Sequence, residues 1–291
     1  MGVPPSRDHE ASTGAAPARL GRRGVLSLGA LGALGMVGGG YALTAAGRPD
    51  HPVTMTRETR SRPEVTGRDE LTARAAIGPA RHRYEVNGLA TPYYATGEMA
   101  KRLETWLTLH RQHTGQAPDR VSTYGAWTRG DGTSWHHSGE AIDIAALRRG
   151  GQDLASARYD RWRDDTAAEV RGRLRTYWQL AAGLHLQFAD VLTYLYDDRH
   201  TNHIHVDTGR FGPTGAPRLI ERSRVQTQAL QAMCVHVWGR RDVQVTGELD
   251  SPTRDATTAI LRDHGGRGEI TDGVEAWQAF LVATMREARD A

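Results

Sequence analysis

The segment His200-Thr-Asn-His-Ile-His-Val-Asp207 carries the strongest structural signal in this chain of 291 residues. Side chains alternate between the two faces of a strand, so His203, His205 and Asp207 are expected on one face and the intervening isoleucine and valine on the other. Burial of the two apolar residues fixes the register of the strand and directs both histidines into a common site. The segment therefore predicts a strand that supplies histidines to a functional site.

A second polar segment, Ser134-Trp-His-His-Ser-Gly-Glu-Ala-Ile-Asp143, leads into another predicted strand at 141–145. On that strand Asp143 shares a face with Ala141 and Ala145, and these small neighbours leave room for a metal ion with its other ligands. Two histidines and one carboxylate are the three protein ligands of a catalytic zinc site, in which water takes the fourth position. The alternative is structural: His-x-His occurs in many chains by chance, and Asp143 would then accept only backbone hydrogen bonds.

The two segments together resemble a known family. The pattern Ser134-x-His-x-x-Gly-x-Ala-x-Asp143, followed by His200-x-x-His-x-His205, is similar to that of the extensin-like C-terminal family. Those proteins are themselves similar to the zinc D-alanyl-D-alanine carboxypeptidases and endopeptidases of bacterial cell walls. The resemblance covers roughly residues 85–210.

The resemblance implies a role for each matching residue. His136, Asp143 and His205 would bind Zn²⁺, and His203 would stand beside the metal as a general acid or base. Arg129, which precedes the first motif, would hold a carboxylate of the substrate. The alternative for Arg129 is a solvated arginine in a loop.

One residue departs from the family in a way that affects the chemistry. The related peptidases have a carboxylate three residues before the last ligand histidine, where this chain has Asn202. An amide does not accept a proton near neutral pH, although it can hydrogen-bond to water and orient it. Either His203 is then the base, or Asp207 or Glu140 assists, or the site binds without cleaving.

Cysteine usage is a second departure. Many members of the family have cysteines near the first motif, whereas Cys234 is the single cysteine of this chain. The chain can therefore form neither an intramolecular disulfide nor a four-cysteine zinc site, and any metal must be bound by histidines and carboxylates.

Hydrophobic periodicity predicts an α+β catalytic domain over residues 79–212, with a small antiparallel sheet, flanking helices and the zinc site. Helices are predicted at about 97–113 and 166–182, with Gly115 and Gly183 beyond their ends, and strands at 121–127, 141–145, 191–196 and 203–206.

Residues 213–291 predict a separate, small all-α module. Apolar residues recur at helical spacing around 230–237, 256–260 and 274–285, and Ser251-Pro252 is typical of a helix start. The stretch Val245–Ala256 resembles small helical peptidoglycan-binding domains. The alternative is a nonspecific helical appendage. Cys234 lies on an apolar stripe and is expected in the core.

The N-terminal residues predict export. Arg22-Arg23 precede a glycine-rich run, 24–46, that carries no charge and ends in small residues, so residues 1–47 resemble a twin-arginine signal peptide. The alternative is an uncleaved transmembrane anchor, since the run is long enough to span a bilayer. Residues 48–78, rich in Arg, Thr, Pro and Glu, are expected to be an exposed linker.

These expectations combine into one functional hypothesis. The chain would be a secreted zinc peptidase of the cell wall that acts on peptidoglycan stem peptides, and the competing hypothesis is a non-catalytic wall-binding protein that retains the metal site. A third hypothesis is a metal-dependent protein acting on another extracellular peptide or sugar. The formal charge is only +3, so no nucleic-acid partner is expected. A monomer is expected, with membrane contact only through an uncleaved signal segment.

Overall fold

The computed structural model describes residues 64–188, 190–209 and 215–287. All of them belong to one compact unit. The predicted signal segment and the first part of the predicted linker lie outside the described residues.

Nine strands make two sheets in this part of the chain. They are β1 (Thr72–Arg74), β2 (Ala76–Ile77), β3 (Ala80–Tyr84), β4 (Tyr93–Ala95), β5 (Arg120–Gly125), β6 (Ala141–Arg149), β7 (Gln152–Ser156), β8 (Asp190–Leu192) and β9 (Ile204–Asp207). β1 and β4 form a two-stranded sheet, and the larger sheet has the order β2-β3-β5-β6-β9-β8, with β7 paired to β6.

The larger sheet is mixed, so the expectation of a purely antiparallel sheet is wrong. β3 and β5 run parallel, whereas the other neighbouring strands are antiparallel. A parallel pair needs a long crossover connection, and the chain between β3 and β5 supplies one because it contains β4 and the first helix. The predicted α+β class is confirmed.

Six α-helices accompany the sheets in the described residues. They are α1 (Gly97–Thr114), α2 (Tyr159–Trp162), α3 (Ala167–His185), α4 (Arg224–His236), α5 (Ser251–Asp263) and α6 (Val274–Arg286). The predicted helices at 97–113 and 166–182 correspond to α1 and α3. α1 ends as predicted at Gly115, which adopts the left-handed conformation with φ of 69°.

The predicted end of α3 is wrong, because the helix continues through Gly183 to His185. A side chain at Gly183 would lie 3.1 Å from the Met285 sulfur and 3.3 Å from the Trp106 indole nitrogen. The glycine therefore allows close packing of helices and does not end one. The predicted strand at 191–196 is also shorter, since β8 ends at Leu192.

Part of the predicted linker belongs to the fold. β1 and β2 lie within residues 48–78, and the Thr66 backbone N–H donates a 2.9 Å hydrogen bond to the His137 carbonyl. The Trp127 indole N–H in turn donates to the Thr66 carbonyl at 2.9 Å. Residues 64–77 therefore contact the loop that carries the first motif. Most of them are exposed, as predicted, but they form short strands and belong to the fold.

The C-terminal helices do not form a separate module. Buried residues of α4 and α6, such as Met233 and Trp277, belong to the same continuous hydrophobic core as Trp178 of α3 and Ile142 of β6. Polar contacts cross the predicted boundary too, since the Gln179 amide donates to the Glu287 carbonyl at 3.0 Å. α3 packs against α4 and α6, and α5 in turn packs against α4 and α6. Cys234 is buried in this core as predicted.

Candidate metal centre

Neighbouring strands place two of the predicted ligands side by side. Asp143 on β6 and His205 on β9 are direct partners in the antiparallel register. The alternate residues on both strands, Ile142, Ile144, Ile204 and Val206, are fully buried. The expected alternation is confirmed, because the apolar faces of both strands lie in the core and the polar side chains lie on the other side of the sheet.

His136 reaches the same point from a short helical turn. Residues Trp135–Ser138 form a 3-10 helix. The Ser134 hydroxyl caps its start, because it accepts a hydrogen bond from the His136 backbone N–H. Gly139 ends the turn in the left-handed conformation with φ of 70°, which L side chains rarely adopt. A side chain there would also lie 2.8 Å from Leu71. The motif glycine therefore turns the chain sharply from His136 into β6.

The three predicted ligand atoms converge. Asp143 Oδ1 lies 2.9 Å from His205 Nδ1 and 3.3 Å from His136 Nε2. The two histidine nitrogens are 3.2 Å apart. One atom from each residue thus lies within 4.8 Å of the others, and the cluster is able to hold a metal ion.

Outer hydrogen bonds orient the two imidazoles. His136 Nδ1 bonds to the Ala126 carbonyl, which can only accept, so this nitrogen carries a proton. His205 Nε2 lies 3.1 Å from Asp207 Oδ2, and the other Asp207 oxygen accepts from the Gly209 N–H at 2.7 Å. When a metal ion is bound and both rings are neutral, these outer bonds would leave the lone pairs of His136 Nε2 and His205 Nδ1 pointing inward, as in metal-ligating histidines with outer partners.

The electrostatics of the cluster favour positive charge. Burial opposes protonation of His205, but its hydrogen bonds to Asp143 and Asp207 outweigh burial and raise its pKa to about 10. The Asp143 pKa is lowered: burial alone would raise it, but hydrogen bonds from His136 and His205 dominate. The two carboxylates therefore stabilise a positive charge between them, and a metal ion bound there would take the place of a proton on His205.

His203 lies beside the three ligand atoms. Its Nε2 is 3.4 Å from Asp143 Oδ1, and its Nδ1 is 2.6 Å from Asn202 Oδ1. Burial lowers the His203 pKa to about 4, with smaller effects from neighbouring charges. The ring is therefore neutral near pH 7, which is the state that a proton acceptor requires.

Arg129 is exposed in the loop between β5 and the 3-10 helix, and its side chain is not among those that converge at the cluster. Its role in binding a substrate carboxylate stays a prediction.

Asp207 and Glu140, the two carboxylates that the sequence offers to assist the base, make different contacts. Asp207 bonds to His205 on the side away from Asp143, so it orients a ligand. Glu140 accepts a 2.7 Å hydrogen bond from the Thr208 hydroxyl.

Sequence reasoning assigned no role to two aromatic neighbours of the site. His200 bonds through Nδ1 to Asp197 at 2.6 Å, and its ring centroid lies 5.1 Å from that of His203. Tyr124 of β5 meets the His203 ring edge-on at 5.9 Å. The second motif contains His200, but the sequence does not predict the turn that brings this residue to the site. Tyr124 carries no signal of its own, because only the sheet order places it there.

Comparison with known proteins gives no match among family models, curated proteins or solved structures. Among the described residues, no helix has the length and apolar character to cross a membrane.

Proposed function

We propose that this protein is an exported, zinc-dependent peptidase that hydrolyses peptide bonds in the stem peptides of peptidoglycan. The observation that supports it most is the convergence of His136 Nε2, Asp143 Oδ1 and His205 Nδ1, each on a side chain held by the fold. Three protein ligands of this type are typical of catalytic zinc sites. The choice of peptidoglycan rests on the resemblance of the two motifs to cell-wall peptidases.

In this proposal one set of residues would hold the metal ion, and His203 would transfer a proton. A zinc ion bound here would supply a Lewis acid for the scissile carbonyl. Asp207 and the Ala126 carbonyl keep the ligand imidazoles in the tautomers that present lone pairs inward. His203, neutral and adjacent to the cluster, would accept at Nε2 a proton from the water that adds to the scissile carbonyl carbon. It would then give this proton to the amine nitrogen as the carbon–nitrogen bond breaks.

Digestion of muropeptides tests the proposal directly. The full chain, loaded with one equivalent of zinc, should cleave stem peptides, and mass spectrometry should detect the hydrolysed products. A chelator should stop the reaction, and added zinc should restore it. Intact muropeptides after incubation with a chain that holds one zinc would contradict the proposal.

Asn202 favours a second candidate, a wall-binding protein that retains the metal site without cleaving. The related peptidases have a carboxylate at this position, and in this chain the Asn202 amide bonds to His203. Co-sedimentation with insoluble sacculi by a zinc-loaded chain that releases no peptide would support this candidate. Binding of the C-terminal helices to the wall polymer belongs to both proposals.

Export by the twin-arginine route is part of the proposal. Twin-arginine receptors recognise the paired guanidinium groups, so Arg22→Lys combined with Arg23→Lys should leave the precursor inside the cell. Cell fractionation measures this, and normal secretion of the double variant would show that another route is used.

A further inference from the structure

The side chain of Asn202 faces His203 in the turn that precedes β9. Asn202 Oδ1 lies 2.6 Å from His203 Nδ1. The other ring nitrogen, Nε2, lies 3.4 Å from Asp143 Oδ1, the oxygen that also contacts both ligand histidines. The two nitrogens of His203 therefore face different partners: Nδ1 faces an amide, and Nε2 faces the metal centre.

An amide oxygen fixes the position of the proton on the ring. It has lone pairs and no hydrogen, so the nitrogen that meets it must be the N–H donor. A neutral imidazole carries a single N–H. The proton therefore resides on Nδ1, and Nε2 keeps its lone pair on the side of the metal centre.

Neighbouring rings keep His203 in this orientation. Tyr124 meets it edge-on at 5.9 Å between centroids, and His200 packs against it at 5.1 Å. The His203 side chain is only 14% exposed, so exchange of its two nitrogens by rotation of the ring would have to displace these neighbours.

We infer that Asn202 is a positioning residue that holds His203 in the Nδ1–H tautomer and so presents Nε2 to the metal centre as a proton acceptor. This inference rests on the proposed function for its catalytic meaning. A carboxylate at position 202 would itself be a base, whereas an amide there transfers that role to the adjacent imidazole. The departure from the family then becomes a relocation of the base by one residue.

Nitrogen NMR of the histidine rings tests the inference without reference to activity. Long-range proton–nitrogen spectra of the zinc-loaded full chain, labelled with ¹⁵N-histidine, distinguish protonated from bare ring nitrogens. His203→Gln identifies the His203 signals by their disappearance. We expect His203 to show a protonated Nδ1 and a bare Nε2. The wild-type spectrum is sufficient to overturn the inference: it would do so by showing a protonated Nε2, or an Nε2 chemical shift characteristic of metal coordination.

Two variants with opposite expectations sharpen the test. Asn202→Asp keeps an acceptor oxygen and should preserve the Nδ1–H tautomer, whereas Asn202→Leu removes the acceptor and should give a mixture of tautomers. Zinc content near one shows that each variant is folded. With muropeptides, Asn202→Leu should lower kcat roughly 10–100-fold, the usual effect of losing an outer partner, with little change in KM. An unchanged tautomer in Asn202→Leu refutes the positioning role.

The results separate the inference from the proposed function. A wild type with the expected tautomer and the expected loss in Asn202→Leu supports the inference even if no muropeptide is cleaved, and only the proposed function then fails. If muropeptides are cleaved but His203 carries its proton on Nε2, the proposed function is supported and the positioning role of Asn202 is refuted.

Discussion

Buried histidines differ in their hydrogen bonding between two regions of the molecule: the candidate metal centre and the contact of α3 with the C-terminal helices. At the metal centre each ring nitrogen of His136 and His205 has a polar partner within about hydrogen-bond distance. At the helix contact His185 is fully buried against the Trp277 ring, 5.6 Å between centroids. Neither of its ring nitrogens has a hydrogen-bond partner among the described residues.

The difference also appears in the pKa values of the two histidines. The His205 pKa rises to about 10 because carboxylates accept from both nitrogens, whereas burial lowers the His185 pKa to about 3. The metal centre is thus organised for a cation, and the helix contact is organised to exclude charge. One region is a polar site set into a sheet, and the other is part of the hydrophobic core.

Deletion of the C-terminal helices should have the largest effect. Removing residues 222–291 exposes the face of α3 that buries Trp277 and Met233, so the remaining chain should lose cooperative unfolding and its zinc. If residues 213–291 were the separate module that the sequence predicts, the rest of the chain would stay folded after this deletion. Circular dichroism during urea titration measures the outcome, and a sharp transition in the truncated chain would restore the two-module description.

A pair of single substitutions in α6 makes the same comparison in an intact chain. Trp277 is fully buried, so Trp277→Ala should lower the free energy of unfolding by about 3–5 kcal/mol. Glu275 is exposed on the same helix, and Glu275→Ala should change it by less than about 0.5 kcal/mol.

Loss of a ligand should remove the metal while leaving the core intact. His136→Ala, Asp143→Ala and His205→Ala should each reduce bound zinc from about one per chain to near zero, because three protein ligands are needed for a tight catalytic site. His137→Ala is a matched control, since His137 adjoins a ligand but bonds to the Thr128 carbonyl. Metal analysis by mass spectrometry gives the content, and full retention by any ligand variant would remove that residue from the site.

His203→Ala should separate catalysis from metal binding. Its ring lies beside the ligand atoms without belonging to the three that converge, so zinc content should stay near one. Turnover of muropeptides should fall by roughly two to four orders of magnitude, the usual contribution of a general acid or base. Loss of zinc in this variant would make His203 a ligand and contradict its role as base.

The last comparison concerns pH and the helix contact. The unfolded chain protonates His185 near pH 6.5, whereas the folded chain resists protonation down to about pH 3. Protonation of His185 therefore does not lower the free energy of unfolding above about pH 6.5. As pH falls from 6.5 toward 3, the free energy of unfolding declines, because the unfolded state binds more protons than the folded state. His185→Leu should reduce the decline in the urea midpoint between pH 7 and pH 4. An equal decline in both proteins would show that other groups cause it.

Sequence reasoning identified the three residues of the cluster because each motif is short and local. Alternation along 203–207 and the apolar residues between the histidines suffice to direct His205 and Asp207 to one side. A turn that ends in glycine suffices to place His136 close to the start of β6. The hydrogen bonds of Asn202 and His200 were not readable, because they depend on how the turn before β9 folds back on itself.

Tertiary structure alone decided which surfaces meet. An apolar stripe on α4 or α6 predicts that the helix is buried, but the stripe contains no information on the partner, because hydrophobic attraction is non-directional. The same holds for β1, which is too short to show a period and joins the fold through backbone hydrogen bonds with β4. The amino-acid sequence thus determined which side chains share a face of β6 and β9, whereas the mixed sheet, the continuous core and the approach of Tyr124 to His203 arise from contacts between residues far apart in the chain.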